Sequence, residues 1–179
     1  MATFAIDPAH TDVHFSAKHM MVTTVRGTFT DVRGTIELNE TDPSASHAEI
    51  VVGAASVDTR FGARDAHLRS DDFFGVETYP EIRVMSTAIR HKRGDDFVVT
   101  ADVTIRDVTR PVDFDVEFLG FYTGMDVSRR AGFSAKAKVN RKDWGLDWNV
   151  ALEAGGWLVG DQIKLDVDVA LQESIALAA

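Results

Sequence analysis

The side chains that could act on a substrate are few, and histidines stand out among them. His10 and His14 lie on the polar face of the first clear strand, so we expect both to face water. His19 lies on the opposite face with the apolar Phe15 and Ala17, and we expect it to point inward. No strand or helix carries three histidines or acids at the spacing of a metal site, and we predict neither a metal nor a cofactor.

Residues 64–70 (RDAHLRS) hold an acid, a histidine and a serine close together, as a hydrolase would need. On an ideal helix, however, Asp65 lies about 160° from His67, so the carboxylate cannot easily orient the imidazole. We therefore do not predict a Ser-His-Asp triad from this run alone. We predict instead a short helix over residues 63–74, in which Asp65 and Arg69 form an ion pair in the favourable order.

The elements that must position these residues are strands, because apolar and polar residues alternate with a period of two along most of the chain. The segments with this pattern are residues 11–20, 25–38, 47–57, 82–89, 97–105, 112–118, 131–140 and 163–171. Inside segment 25–38 the apolar residues change face, which predicts a β-bulge near Asp31. The pattern predicts an all-β fold, a closed antiparallel eight-stranded barrel with one or two short helices.

The apolar faces of these strands interleave small residues with phenylalanines. Ala101 and Ala135, for example, share the predicted interior with Phe114 and Phe133. Because alanines cannot fill the interior of a barrel, this pattern favours a lumen with room for one small ligand. The alternative is a packed sandwich core in which small residues face large ones, and the pattern alone leaves both interpretations open.

Two segments break the alternation. In residues 63–74, Ala66, Phe73 and Phe74 share one arc of the predicted helix. An apolar lumen open at both ends would expose a large apolar patch, so we expect this segment to pack over one end of the barrel. The second segment, residues 142–148, is predicted to be a turn or a single helical turn.

The composition excludes several classes of function. A net charge of −9 argues against a nucleic-acid surface and against docking on an anionic membrane. Cysteine is absent, which excludes disulfides and thiolate chemistry. The N-terminus lacks the basic and apolar regions of a signal peptide, and no stretch approaches the roughly 20 apolar residues of a spanning helix. We expect one soluble, cytoplasmic domain over residues 1–179.

Several motifs resemble the YceI-like, polyisoprenoid-binding family. The strongest is residues 64–74 (RDAHLRSDDFF), followed by Tyr79-Pro80. The others are residues 7–10 (DPAH) with Phe15 and His19, residues 27–29 (GTF), 104–109 (TIRDVT), 141–146 (RKDWGL) and Gly160-Asp161. They occur in order over almost the whole chain. The chain departs from the family pattern in carrying Trp144 where Phe or Tyr is usual, Thr11 where Ser is common, and no export signal.

The resemblance implies a lipocalin-like antiparallel barrel of eight strands that holds a long isoprenoid chain, such as a polyprenyl lipid or a quinone tail. Family members are often dimers, so a homodimer is an expectation for this chain. The candidate lumen residues are Phe15, Ala17, His19, Phe29, Ile50, Val52, Phe97, Val99, Ala101, Val103, Phe114, Val116, Phe118, Phe133, Ala135, Ile163, Leu165 and Val167. The candidate lid or mouth residues are Arg64, His67, Phe73, Phe74, Trp144 and Trp148.

Two hypotheses about function follow. The first is binding, storage or transport of an amphiphilic isoprenoid lipid in the lumen, with no catalytic residue. The second is an enzyme that acts on a lipidic or aromatic substrate, with His19 or His67 as general base. An enzyme needs reacting groups that converge on one pocket, whereas the sequence shows single candidates far apart. The binding hypothesis is therefore favoured.

Overall fold

The computed structural model describes residues 1–174, which form eleven strands and one α-helix. The strands are β1 (Ala2–Ile6), β2 (Asp12–His19), β3 (Thr23–Phe29), β4 (Val32–Leu38), β5 (His47–Gly53), β6 (Val57–Asp58), β7 (Glu81–Arg93), β8 (Asp96–Ile105), β9 (Val108–Thr123), β10 (Arg129–Asn140) and β11 (Val159–Glu173). The helix is α1 (Gly62–Arg69), and short 3₁₀ turns span Pro43–Ala45, Ala54–Ser56 and Arg141–Trp144. In these described residues, no helix has the length and apolar character needed to cross a membrane.

The strands close into a barrel because β11 is paired on both of its edges. One edge pairs with β10 over eleven residues. The other edge pairs with β2 and then with β1, which lie end to end beside it. Likewise β3 and β4 lie end to end, with β3 pairing β2 and β4 pairing β1. The wall thus has eight strand positions, all antiparallel, and the predicted closed eight-stranded barrel is confirmed.

Side chains alternate across the wall as the period-two pattern predicts. Ala135 of β10 lies opposite Val116 of β9 and Val167 of β11, and these three face the interior. The next residue, Lys136, lies between Asp115 and Asp166 on the outer face. The outer surface therefore carries cross-strand pairs of opposite charge while the inner surface is apolar.

The predicted change of face near Asp31 is confirmed, since Phe29 and Ile36 both line the cavity although their positions differ in parity. The predicted β-bulge is wrong, because the strand there ends and restarts. Thr30 and Asp31 separate β3 from β4, and their backbone groups bond to the turn that follows β5. The Thr30 amide donates to the Ser56 hydroxyl at 3.1 Å, and the Gly53 amide donates to the Asp31 carbonyl at 2.9 Å. At a β-bulge, a strand continues along the same partner strand with one extra residue. Here the partner changes, because β3 pairs with β6 and β4 pairs with β5.

Helix α1 is shorter than predicted and ends at Arg69 instead of Phe74. At that point the Ser70 hydroxyl donates to the His67 carbonyl at 2.6 Å, and the Ser70 backbone is extended (ψ 172°). A serine that captures a helix carbonyl in this way competes with the next helical hydrogen bond. The following residues form successive turns up to Gly75, which has a positive φ of 56°.

The predicted ion pair between Asp65 and Arg69 does not form. Asp65 is buried, and its carboxylate accepts hydrogen bonds from the Thr59 amide and the Thr59 hydroxyl. Arg69 donates to the carbonyls of Ala55 and Val57 at 2.8 Å each. Both side chains turn to the backbone beside β6 because those polar groups are removed from water and need partners. Residues near β6 thus anchor α1 to the wall.

The junction between β1 and β2 is held to β10 by a largely buried ion pair. Arg130 contacts the Asp7 carboxylate at 2.7 Å, and the two side chains are only 16% and 13% exposed. Hydrogen bonds from His10, the Ala9 amide and Arg130 lower the pKa of Asp7 below its usual range, against the opposing effect of burial. The charged form of Asp7 is therefore favoured in the folded state.

We expect Asp7→Asn to lower the free energy of unfolding at pH 7 by about 1–2 kcal/mol, since a charged hydrogen-bond network is broken. A depressed folded-state pKa contributes stability above the ordinary carboxyl value of about 3.9, and this contribution disappears as the pH falls through the folded value. Urea unfolding at pH 7 and pH 3 measures the difference. Asp126→Asn, at an exposed carboxylate that also contacts Arg130, is the control with a smaller effect. An Asp7→Asn loss equal at both pH values would contradict the argument.

Candidate functional site

The barrel interior is a continuous cavity of about 960 Å³ that runs between its two ends. At the helix end lie α1, the β2–β3 turn and the loop 145–158. At the far end lie the turns 39–46, 94–95 and 124–128. The cavity wall between them is almost entirely apolar. A cavity of this size and character fits the usual range of ligand pockets.

Every candidate lumen residue lies in the cavity wall. The set is Phe15, Ala17, His19, Phe29, Ile50, Val52, Phe97, Val99, Ala101, Val103, Phe114, Val116, Phe118, Phe133, Ala135, Ile163, Leu165 and Val167. The six lid or mouth candidates also line the cavity, at its helix end: Arg64, His67, Phe73, Phe74, Trp144 and Trp148. The structure thus brings together residues from β2 to β11, and their contact with a ligand stays a prediction.

The interior is hollow, and the packed-sandwich alternative is wrong. Inward residues such as Phe97, Phe114 and Ile163 are only partly buried although they point away from bulk water. In a filled core their counterparts on the opposite wall would cover them. Alanines at inward positions such as Ala135 leave space that the phenylalanines do not fill. This space is the cavity.

Further wall residues were missed by the sequence analysis. Val13, Ile36, Val84, Val139 and Val169 line the cavity and share parity with inward neighbours on their own strands. The alternation could have identified these five. Residues from the loop 145–158 also line the cavity, and no strand period applies to them.

The segment after β6 covers the helix end of the cavity. Phe73 is buried, and the Phe74 ring packs edge-on against Phe29 with the ring centroids 5.7 Å apart. The expected face of α1 is nevertheless wrong in one respect, because Ala66 is exposed and Leu68 lines the cavity instead. The shift follows from Asp65, whose burial against Thr59 rotates the helix about its axis.

We call the segment that follows β6 and covers the helix end the cover, and His67 connects it to the loop 145–158. Its ring lies edge-on to Trp148 and to Phe73, with centroid distances of 4.4 and 5.1 Å. Its Nε2 atom is 2.7 Å from the Asp72 carboxylate. The imidazole therefore has an acid partner, but the acid is Asp72 and not Asp65. The Ser70 hydroxyl is directed to a backbone carbonyl and not to the imidazole.

Arg141 stabilises the conformation of the loop 145–158. Its side chain is 4% exposed and donates to the carbonyls of Gly160, Leu146 and Trp148. Burial lowers the pKa of Arg141, against the opposing attraction of Asp161, whose carboxylate lies 3.6 Å away. This guanidinium replaces the backbone partners that an irregular loop lacks.

The far end carries a polar cluster that the sequence analysis missed. The Ala48 amide donates to the Ser86 hydroxyl oxygen at 2.8 Å, and that oxygen lies 3.2 Å from Nδ1 of His47. The other ring nitrogen of His47 lies 3.3 Å from the Glu49 carboxylate. At Ser86 the register of β7 shifts by one residue. The Ser86 hydroxyl therefore accepts the hydrogen bond of the Ala48 amide in place of a backbone carbonyl, and the cluster has a structural role in the wall.

The charges that line the cavity differ in sign between its two ends. Lys18, Arg64 and Arg141 line the helix end, whereas Glu40 and Asp95 line the far end. Hydrogen bonds from Arg129 lower the pKa of Glu40, with burial opposing, so the carboxylate stays charged. Glu40 is paired with Arg129, and Arg141 is paired with Asp161. Lys18 and Arg64 contact no carboxylate within residues 1–174, so these two side chains favour a negatively charged group at the helix end.

The two histidines that were considered as a general base have different surroundings. Within residues 1–174, the His19 side chain makes no hydrogen bond, and His67 is paired with Asp72. The same residues contain no group of three or more His, Asp or Glu side chains placed to hold a metal ion. The arrangement is suited to enclosing an apolar molecule.

Comparison with known protein families gives a match to the YceI-like domain over residues 4–171. A UPF0312 protein of Staphylococcus aureus strain MSSA476 is 34% identical over 167 residues, covering 93% of this chain and 95% of that protein. The corresponding protein of strain MW2 matches to the same extent.

Solved structures share the fold. BcnA of Burkholderia cenocepacia is 20% identical, covers 92% of this chain and 98% of its own, and superposes with a TM-score of 0.78. A Campylobacter jejuni YCEI protein is 27% identical, with 88% and 90% coverage and a TM-score of 0.74. A polyisoprenoid binding domain from Saccharophagus degradans, implicated in plant cell wall breakdown, is 16% identical, with 97% and 99% coverage and a TM-score of 0.69. With a family match over nearly its whole length and relatives above 30% identity, the chain belongs to the YceI-like domain family.

Proposed function

We propose that the barrel binds one amphiphilic isoprenoid lipid in its cavity and stores or carries it without chemical change. The observation that supports this most directly is the cavity of about 960 Å³ with an almost wholly apolar wall. Removing an apolar chain from water into such a space is favourable by roughly 25 cal/mol per Å² of buried surface. The cavity is already formed, so little of this free energy is needed to reorganise the wall.

The size of the cavity suits a chain of intermediate length. A cavity volume of about 960 Å³ lies at the upper end of the range of roughly 300–1,000 Å³ that is usual for ligand pockets, so it suits a ligand of several isoprene units. The name of the Saccharophagus degradans domain, which states that it binds polyisoprenoid, adds support from a protein of the same fold.

Polar side chains at the two ends of the cavity would contact the polar headgroup of such a lipid. His19 and Arg64 line the helix end, and Ser86 and His47 line the far end. Binding is favoured over the enzyme hypothesis because His19 makes no side-chain hydrogen bond within residues 1–174, and because the Ser70 hydroxyl beside the His67–Asp72 pair is directed to a backbone carbonyl. A cytoplasmic location and a homodimer stay predictions from the sequence and its resemblance.

The test of this function is to purify the protein without detergent, extract it with organic solvent and analyse the extract by mass spectrometry. We expect a prenyl lipid at close to one molecule per chain. As a second measurement, geranylgeraniol is titrated into delipidated protein, with the fluorescence of Trp144 and Trp148 in the cavity wall as the signal. An empty extract together with no fluorescence change would reject the proposal.

We expect Ala135→Trp to abolish binding of geranylgeraniol while the barrel still folds, because an indole at this position occupies the middle of the lumen. The neighbouring Lys136→Trp is the matched control, since its side chain is on the outer face of the same strand. Fluorescence titration and circular dichroism of both variants give the answer. If Ala135→Trp binds as tightly as the control, the chain does not pass through the barrel at β10.

The cover at the helix end gives another prediction. We expect Phe73→Asp to lower the free energy of unfolding by about 3–5 kcal/mol, since a buried ring is lost and a charge is placed among aromatic groups. Phe74→Ser, which removes the contact with Phe29, should mainly speed ligand release in stopped-flow displacement. Unchanged stability of Phe73→Asp together with unchanged release from Phe74→Ser would show that this segment does not close the cavity.

A further inference from the structure

Six large apolar side chains are exposed around the helix end of the barrel, and we name them the apolar rim. They come from three separate chain segments: the β2–β3 turn, the residue before α1, and the loop 145–158. The members are Met20 (49% exposed), Met21 (66%), Val22 (78%), Phe61 (58%), Val150 (45%) and Trp157 (54%). Exposed apolar side chains grouped around a cavity opening mark an interaction surface.

The apolar rim is continuous with the cavity. Phe61 belongs to both, since it lines the cavity and is also more than half exposed. The Met20 amide donates to the Leu158 carbonyl at 2.8 Å, and Leu158 lines the cavity too. The Met21 side chain packs against Gly156, where even a methyl group would meet its sulfur. An apolar chain could therefore pass from the rim to the lumen along a single apolar surface.

The β2–β3 turn carries side chains that its backbone does not favour. Met20 and Met21 have positive φ values of 52° and 60°, and the Val22 amide closes the turn on the His19 carbonyl at 3.1 Å. Turns with two left-handed central residues are usually made with Asn and Gly, which adopt that conformation at low cost. Two methionines at the tip place flexible apolar side chains in water at a conformational cost. Strain of this kind concentrates at functional positions.

The charged side chains beside the apolar rim indicate which kind of surface the rim binds. Lys18 and Arg64 line the cavity at this end, and neither contacts a carboxylate within residues 1–174, although the whole chain carries a net charge of −9. Arg141 also lines the cavity, but it is buried and paired with Asp161. Glu40 and Asp95 line the opposite end. The unpaired Lys18 and Arg64 therefore suit a surface that is apolar inside and presents phosphate groups. At the far end, Glu40 is paired with Arg129, and the charged lining in the described part of the chain offers no such unpaired basic group.

From these observations we infer that the apolar rim docks on a phospholipid bilayer and that the helix end is the entrance through which the lipid ligand passes. The methionines, Phe61 and Trp157 enter the interfacial layer, as apolar and aromatic side chains of peripheral proteins do. The ligand then moves between bilayer and barrel without crossing water. This inference rests on the proposed function for its purpose, but the docking itself is measured independently.

The experiment is flotation of the intact protein with vesicles of phosphatidylcholine, comparing three proteins. One is unaltered, one carries Met20→Glu with Met21→Glu in the apolar rim, and one carries Met125→Glu with Val127→Glu at the far end. The last pair is a matched control because those side chains are also fully or largely exposed (108% and 86%) at a hairpin tip. We expect the rim variant to lose vesicle binding by about tenfold or more, and the far-end variant to bind like the unaltered protein.

Binding of geranylgeraniol delivered from cyclodextrin, without vesicles, separates this inference from the proposed function. We expect the rim variant to bind that probe normally but to take it up slowly from vesicles. Normal uptake from vesicles by the rim variant, or equal flotation of the two variants, overturns the docking inference. Failure of the unaltered protein to float with the vesicles also overturns it. The same holds if the protein does not float and the apolar rim instead forms a dimer interface, which the rim variant would disrupt. If no protein binds the probe, the proposed function fails, and flotation still decides on docking.

Discussion

The pairing of β11 on both of its edges is the constraint on which the rest of the structure depends. Once β1 and β2 complete the second edge, each of the eight wall positions has a paired strand on both sides, and the hydrogen bonds of the sheet support the wall. A sandwich needs its two inner faces to pack together, whereas a closed barrel does not. The interior can therefore remain hollow without loss of the fold.

The cavity does not extend through the whole interior of the barrel. Side chains are packed together in the remaining part, which explains how the chain buries enough apolar surface to fold. Near the start of β1, Phe4, Leu171 and Ala131 have no exposed surface, and the Phe4 ring lies 6.2 Å from that of Phe121. Burial of such side chains supplies most of the free energy of folding. The barrel is filled where β1, β10 and β11 meet, and side chains are also packed near β6, where Val57 is 0% and Ala54 1% exposed. The cavity occupies the space between these packed regions. Stability and ligand space thus occupy different parts of one interior.

The sequence predicted this wall well because the information is local. A strand presents every second residue to the same side, so the inward position of Phe133 or Ala135 follows from its neighbours alone. The family motifs pointed to the same barrel. By contrast, Asp65 bonds to Thr59, which lies outside α1, and the Ser86–His47 contact joins residues 39 apart. Helix periodicity does not encode either contact, which is why the Asp65–Arg69 pair was wrongly predicted. The predicted length of α1 was wrong for another reason, since the Ser70 hydroxyl bonds to the His67 carbonyl and ends the helix.

The cover and the wall are held by different kinds of interaction, and this difference determines what can move. Helix α1 is fastened to the wall by Asp65 and Arg69, whose partners are groups on residues 55–59. Beyond it, His67 meets Trp148 mainly through an edge-to-face ring contact. Aromatic contacts of this type contribute on the order of 1 kcal/mol beyond their buried area. Parting the cover from the loop therefore requires far less free energy than detaching α1 or opening the β-ladder, and such differences define the regions that open locally. The ring contact between His67 and Trp148 therefore separates more easily than the anchors of α1, and it lies at the helix end, where we infer that the lipid enters.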